Sequence, residues 1–157
     1  MKTLLIPLLL ATAGAAQAHI TLEQPEAPAG SSYRAVFKVG HGCEGGAATK
    51  EIVVTLPEGL RGAKPSPKAG WTLTLSPGQI RWTASSEASY LQDAWYDEFI
   101  VRIGLPAEPG ELWFAVRQVC TQGEANWAER PTADNPRPRE PALRLKLLPA
   151  RPEAHTH

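Results

Sequence analysis

Seven short runs of residues, most of them alternating apolar and polar side chains, constrain this chain more than any other feature. They span residues 33–39, 52–56, 71–75, 80–83, 99–103, 112–116 and 142–147. Tyr33-Arg34-Ala35-Val36-Phe37-Lys38-Val39 and Ala142-Leu143-Arg144-Leu145-Lys146-Leu147 show the pattern well. A period of two places alternate side chains on opposite faces of a strand, and the runs are rich in β-branched and aromatic residues. Turn-forming residues separate them, and Ser76-Pro77-Gly78-Gln79 reads as a tight hairpin link. No long amphipathic helix competes. The expected fold is all-β: an immunoglobulin-like or cupredoxin-like β-sandwich of about seven or more strands. The 15 prolines fit edges and loops, since the apolar alternation persists between them. Residues 132–141, rich in proline and charge, read as an extended surface crossing, and residues 149–157 as a loose tail.

The first 18 residues are of another kind. Met1-Lys2-Thr3 supplies one positive charge, residues 4–10 a short apolar core, and Ala16-Gln17-Ala18 a small-residue cleavage site. These are the three parts of a secretory signal peptide, and the apolar stretch, at roughly ten residues, is short for a bilayer span. The expectation is export across the inner membrane to the periplasm, with residues 1–18 removed and residues 19–148 forming one domain. No stable membrane span is expected. Over the full chain, 16 Lys and Arg balance 16 Asp and Glu; losing Lys2 leaves the acids in slight excess, which gives no overall pull toward nucleic acid.

An exported chain with two cysteines, Cys43 and Cys120, reads first as one with a disulfide. The alternative is a thiolate pair holding copper(I), which an oxidising compartment disfavours.

Cleavage after Ala18 would make His19 the first residue. Its α-amine and ring Nδ1 then chelate one metal together. Their ordinary pKa values, about 8 and about 6.5, let a metal displace both protons readily. Two nitrogen donors in a tetragonal arrangement suit copper(II). His41-Gly42-Cys43-Glu44-Gly45-Gly46 follows a strand, and His41 and Glu44 are candidate further ligands. The same loop has a plainer reading, as the path that delivers Cys43 to its partner. Trp127, seven residues after Cys120, is a candidate cover for a metal site or a core tryptophan. Asp93, Asp97 and Glu98 crowd a segment before a strand; Glu98 is a candidate ligand, and the cluster otherwise reads as a solvated loop. His155 and His157 close the chain, where a frayed tail holds no fixed geometry. There is no nucleophile elbow, no HExxH and no phosphate-cradling glycine loop.

Taken in order, several segments resemble the YcnI-like (YncI) copper-binding domain family. They are His19, Pro25, Ala29-Gly30-Ser31, His41-Gly42-Cys43-Glu44-Gly45, Thr49 and Leu56-Pro57-Glu58-Gly59. Lys64-Pro65-Ser66-Pro67-Lys68-Ala69-Gly70-Trp71, Ile80-Arg81-Trp82, Asp97-Glu98-Phe99 and the stretch from Gln118-Val119-Cys120 to Trp127 complete the series. The resemblance covers nearly all of the chain from His19 to about Leu147. It implies an exported copper-binding β-sandwich in copper homeostasis, with a single-histidine brace, a carboxylate and a nearby tryptophan. Carried over, His19 takes the brace role and Trp127 the indole role. The family pattern places an acid just before the P-x-x-G-W run, where this chain has Ser66. A neutral hydroxyl is a weak donor, so His41, Glu44 and Glu98 stand as replacements, with His41 preferred for its imidazole.

The expected function is therefore periplasmic copper binding, as a chaperone, buffer or delivery factor rather than an enzyme. Its partners would be the copper ion and other exported copper-handling proteins. Two other functions fit the same sandwich: a histidine-brace oxidative enzyme, for which His41 is the available second imidazole, and a metal-free interaction domain.

Overall fold

A computed structural model describes residues 20–150. These residues form eleven strands in order: β1 (Thr21–Leu22), β2 (Glu26–Pro28), β3 (Ser32–Val39), β4 (Thr49–Thr55), β5 (Arg61–Pro65), β6 (Trp71–Ser76), β7 (Gln79–Ala84), β8 (Asp97–Gly104), β9 (Gly110–Cys120), β10 (Glu124–Trp127) and β11 (Leu143–Leu148). Two single-turn 3-10 helices, Glu44–Gly46 and Glu87–Ser89, interrupt them. The strands build two sheets, one ordered β1-β3-β8-β5 and the other β2-β11-β9-β4-β7-β6, with β10 also paired to β9. All pairings are antiparallel except β2 with β11.

All seven expected runs fall on strands of this β-sandwich, with Leu56 and Ala142 just beyond the strand ends. The two-residue link between β6 and β7 is also present, with Ser76 opposite Gln79. Gly78 at φ 69° supplies the positive φ that a type II turn needs after Pro77. Four strands have no counterpart among the seven runs: β1, β2, β5 and β10. Each is short or polar, and β5 carries Gly62 and Pro65, so its pairing with β8 slips register between Arg61 and Lys64. Their existence depends on a neighbouring strand offering hydrogen bonds, which no local periodicity reveals.

The alternation sets the interior. Tyr33, Ala35, Phe37 and Val39 of β3 face Ile52 and Val54 of β4, Trp82 of β7 and Phe114 and Val116 of β9, all buried in one core. Edge-to-face aromatic pairs tie the sheets together: Phe37 with Phe114 at 5.5 Å, and Phe99 with both Trp71 at 5.1 Å and Trp82 at 5.5 Å. Such pairs add about 0.5–1.5 kcal/mol each beyond the area they bury.

Tyr33 is an amphipathic member of this core. Its hydroxyl donates to the Gln24 carbonyl at 2.6 Å. Burial, aided by the Glu23 carboxylate, raises its pKa to about 12. The unfolded chain then ionises this phenol first, near pH 10, and binds fewer protons than the folded state between pH 10 and 12. Its contribution to stability is complete below pH 10 and is lost as pH rises through about 12. Tyr33→Phe should flatten that part of the alkaline profile, read as the wild-type minus variant unfolding free energy from pH 9 to 12. A difference that does not change with pH would contradict the assignment.

Among the described residues, no helix is long and apolar enough to cross a membrane.

Candidate functional site at one end of the sandwich

The described chain enters at Ile20. Thr21 and Leu22 pair with Lys38 and Phe37, so buried Ile20 and Val39 are the next positions on β1 and β3. On the other side of β3, Val39 is paired with Asp97, the first residue of β8. The start of β1, the exit of β3 and the entry of β8 thus share one end of the smaller sheet.

The loop after β3 is held from several directions. Cys43 and Cys120 are joined by a disulfide, with Cα atoms 6.0 Å apart, which fastens the loop to the end of β9. The Gly42 N–H donates to Asp93 Oδ1 at 2.9 Å, and the Cys43 N–H to the Ala47 carbonyl at 2.9 Å. A side chain at Gly42 would place its Cβ 2.1 Å from the Ala47 oxygen, so the loop closes this tightly only around glycine. Gln118, 1% exposed, spends its amide on two acceptors, the His41 carbonyl at 2.8 Å and Thr49 Oγ1 at 2.7 Å. The Thr49 hydroxyl lies 3.7 Å from Cys120 Sγ. A buried amide with both hydrogens satisfied fixes a loop more firmly than apolar packing alone, because losing either partner strands a desolvated polar group.

The ring of His41 is half-buried, with Nδ1 hydrogen-bonded to the Gly42 carbonyl. A carbonyl oxygen only accepts, so Nδ1 carries the hydrogen of that contact. Glu44 begins the 3-10 turn three residues later, on the same disulfide-held loop.

Trp127 approaches this end from the other sheet. It is 5% exposed and pairs with Val116. The Phe37–Phe114 contact and the hydrogen bond from Gln118 to His41 align β3 with β9 across the sandwich, so Val116 and Trp127 lie at the level of Val39. β10 occupies the side of β9 that also carries β11, and β1 packs against β11. Trp127 and Ile20 belong to one buried cluster.

Glu98 is placed differently. It pairs with Lys38 on the outer face of the smaller sheet, two strands from β1, about 10 Å at the usual strand spacing. Its Oε1 accepts the Tyr96 hydroxyl at 2.6 Å, and that bond is the main cause of the Tyr96 pKa rising to about 12. The neighbouring Asp97 is engaged by Lys68 at 2.5 Å. Ser66 lies farther still. Its N–H donates to the Ile100 carbonyl beside β5, on the edge opposite β1, about three strand spacings or 14 Å away. Among the described residues, no three His, Cys, Asp or Glu side chains gather into a metal-holding group. His19, His155 and His157, like residues 1–18, lie outside the described residues. The structure therefore brings the His41–Glu44 loop and Trp127 to the end where β1 begins, sets Glu98 at the same end but on the outer face two strands from β1, and places Ser66 beyond it. No local pattern announces the fastening by Gln118, Thr49 and Asp93; a glutamine at an inward-facing strand position two residues before Cys120 is its one signal in the sequence.

These features define an immunoglobulin-like sandwich whose two sheets are locked by a single disulfide. The chain belongs to the family described as Domain of unknown function (DUF1775), matched over residues 19–79 and 74–147; this is the family of the YcnI-like proteins. Among solved structures, it is similar to an uncharacterised protein from Nocardia farcinica with an immunoglobulin-like fold. That match has 30% identity and a TM-score of 0.71, and covers 82% of this chain and 97% of the other. It also resembles the sixth cohesin of scaffoldin B from Acetivibrio cellulolyticus, solved in complex with a dockerin. There the identity is 12% and the TM-score 0.51, over 83% of this chain and 98% of the other; at that identity the likeness concerns the fold alone. A comparison with curated proteins finds no match.

Proposed function

We propose that this protein is an exported copper-binding domain that carries copper(II) at the end of the sandwich where β1 begins, in a copper chaperone, buffer or delivery role. The observation that supports this reading is the convergence of three things on that end: the start of β1, the disulfide-held loop from His41 to Glu44, and the buried indole of Trp127. His19 directly precedes Ile20 in the chain. After cleavage behind Ala18, its amine and Nδ1 would form the chelate, and the His41–Glu44 loop would supply a further donor. The hydrogen bonds behind the loop would fix the donor's direction in the manner of outer-shell groups in metal sites. Copper here is cargo, bound by nitrogen and oxygen donors in the geometry its divalent state prefers.

The test is titration with copper(II), followed by electron paramagnetic resonance, of protein that starts at His19. One residue left ahead of His19 converts the amine into a peptide nitrogen and should weaken binding at least tenfold, about 1.4 kcal/mol. The paired substitution His41→Ala with Glu44→Ala should weaken it by a similar factor, whereas Glu98→Ala and Ser66→Ala should leave it unchanged. Loss of one nitrogen from the spectrum of His41→Ala alone assigns the donor to the imidazole; an unchanged spectrum there and a changed one in Glu44→Ala assigns it to the carboxylate. Equal affinity for the extended and native starts would rule out the brace. No stoichiometric binding by the native protein would leave a metal-free interaction domain.

A further inference from the structure

The outer face of the smaller sheet carries an arrangement of charge that packing does not account for. Arg34 on β3 is directly opposite Arg102 on β8, and Arg102 is directly opposite Lys64 on β5. Three cations therefore stand in a row across three adjacent strands, spaced by the strand separation of about 4.8 Å. Like charges at directly opposed positions oppose sheet pairing. One acid answers them: Glu23 lies 3.5 Å from Arg34. No ion pair to Lys64 or Arg102 is found among the described residues.

The row also borders a pocket with further donors. Ser32, Arg34, Lys64, Ser66, Ile100 and Arg102 line a shallow pocket of about 410 Å³. Ile100 adds an apolar side chain to the lining, and the Ser32 hydroxyl accepts from Arg102 Nε at 3.1 Å. The balanced charge of the whole chain hides this patch, because the acids that offset it lie elsewhere on the surface.

We propose that this pocket binds a phosphoryl group, using Arg102 and Lys64 as its principal cations with Arg34 and the two serines beside them. A phosphate carries up to two negative charges and three strong acceptor oxygens, which matches two forked guanidinium groups, one ammonium and two hydroxyls; a single carboxylate would leave most of these donors unused. Binding would also neutralise the opposed like charges. Arg34 and Arg102 lie four residues along their strands from Lys38 and Glu98, and phosphoryl binding there does not depend on the copper reading. The phosphoryl group belongs either to a soluble phosphate compound or to an anionic lipid headgroup, and these share the recognition chemistry.

The experiment uses the whole mature chain. Inorganic pyrophosphate, titrated while backbone amide resonances are followed, should produce saturable shifts confined to residues 32–34, 64–66 and 100–102. Arg102→Gln and Lys64→Gln should each weaken binding about tenfold. Both should melt no lower than wild type, since each removes a like-charge contact, and this separates lost binding from lost folding. Lys146→Gln, at a pair with Glu26 in the other sheet, should bind as wild type does. Flotation with phosphatidylglycerol vesicles, compared with phosphatidylcholine, distinguishes the sources: lipid-dependent flotation that Arg102→Gln abolishes assigns the headgroup, and pyrophosphate binding without flotation assigns a soluble phosphate. Absence of both, or responses that persist in both glutamine variants, would overturn the proposal.

Discussion

Replacing Cys43 and Cys120 together by serine is expected to lower the unfolding free energy by about 4.5 kcal/mol, through the entropy returned to an unfolded chain that loses a 77-residue cross-link. The bond joins the loop after β3 in one sheet to the end of β9 in the other, and the segment between includes the pairings of β4 with β7 and β9. Most of the larger sheet thus forms within the closed loop. Urea unfolding of the oxidised protein, the reduced protein and the double-serine variant should show the last two alike and both much weaker. A loss under about 1 kcal/mol would mean that the unfolded chain is already constrained by residual structure. The same variant should bind copper(II) more weakly even where it stays folded, because the His41–Glu44 loop loses its covalent anchor while Gln118 and Asp93 still hold it.

Trp82→Ala should cost a similar amount, about 3–5 kcal/mol. Trp82 is fully buried, packs edge-to-face on Phe99 from the opposite sheet, and donates from Nε1 to the Ser66 carbonyl at 3.1 Å. Truncation opens a large cavity between the sheets and leaves that carbonyl without its donor. Trp82→Phe keeps an aromatic partner for Phe99 and should cost less than half as much. Trp95→Ala, at a position 57% exposed, should change stability by no more than about 0.5 kcal/mol. Thermal unfolding of the three variants tests the order; a Trp95 effect rivalling that of Trp82 would place the stabilising core elsewhere.

The class of fold and its interior follow from local patterning alone. Period-two alternation depends on the strand backbone alone, so Tyr33, Phe37, Val101, Phe114 and Leu145 could be assigned to a buried face without knowing what lay opposite. The disulfide was legible for a comparable reason: with two cysteines, only one intramolecular pairing is possible. The short strands β1, β2, β5 and β10 were not legible, because two to five polar or Gly- and Pro-bearing residues extend only when a neighbour supplies the ladder. Their absence mattered most for the candidate site. Without β1 paired to β3 and β5 placed on the far edge, chemistry alone ranks the companions for the start of the chain: His41 ahead of Glu44 and Glu98, with Ser66 a weak donor. Sheet order separates them, since adjacency across strands is set by which edges find partners and leaves no trace in local spacing. The row of Arg34, Arg102 and Lys64 has the same origin: residues up to 68 positions apart become neighbours only through register, and a chain whose total charge is balanced gives no sign of them.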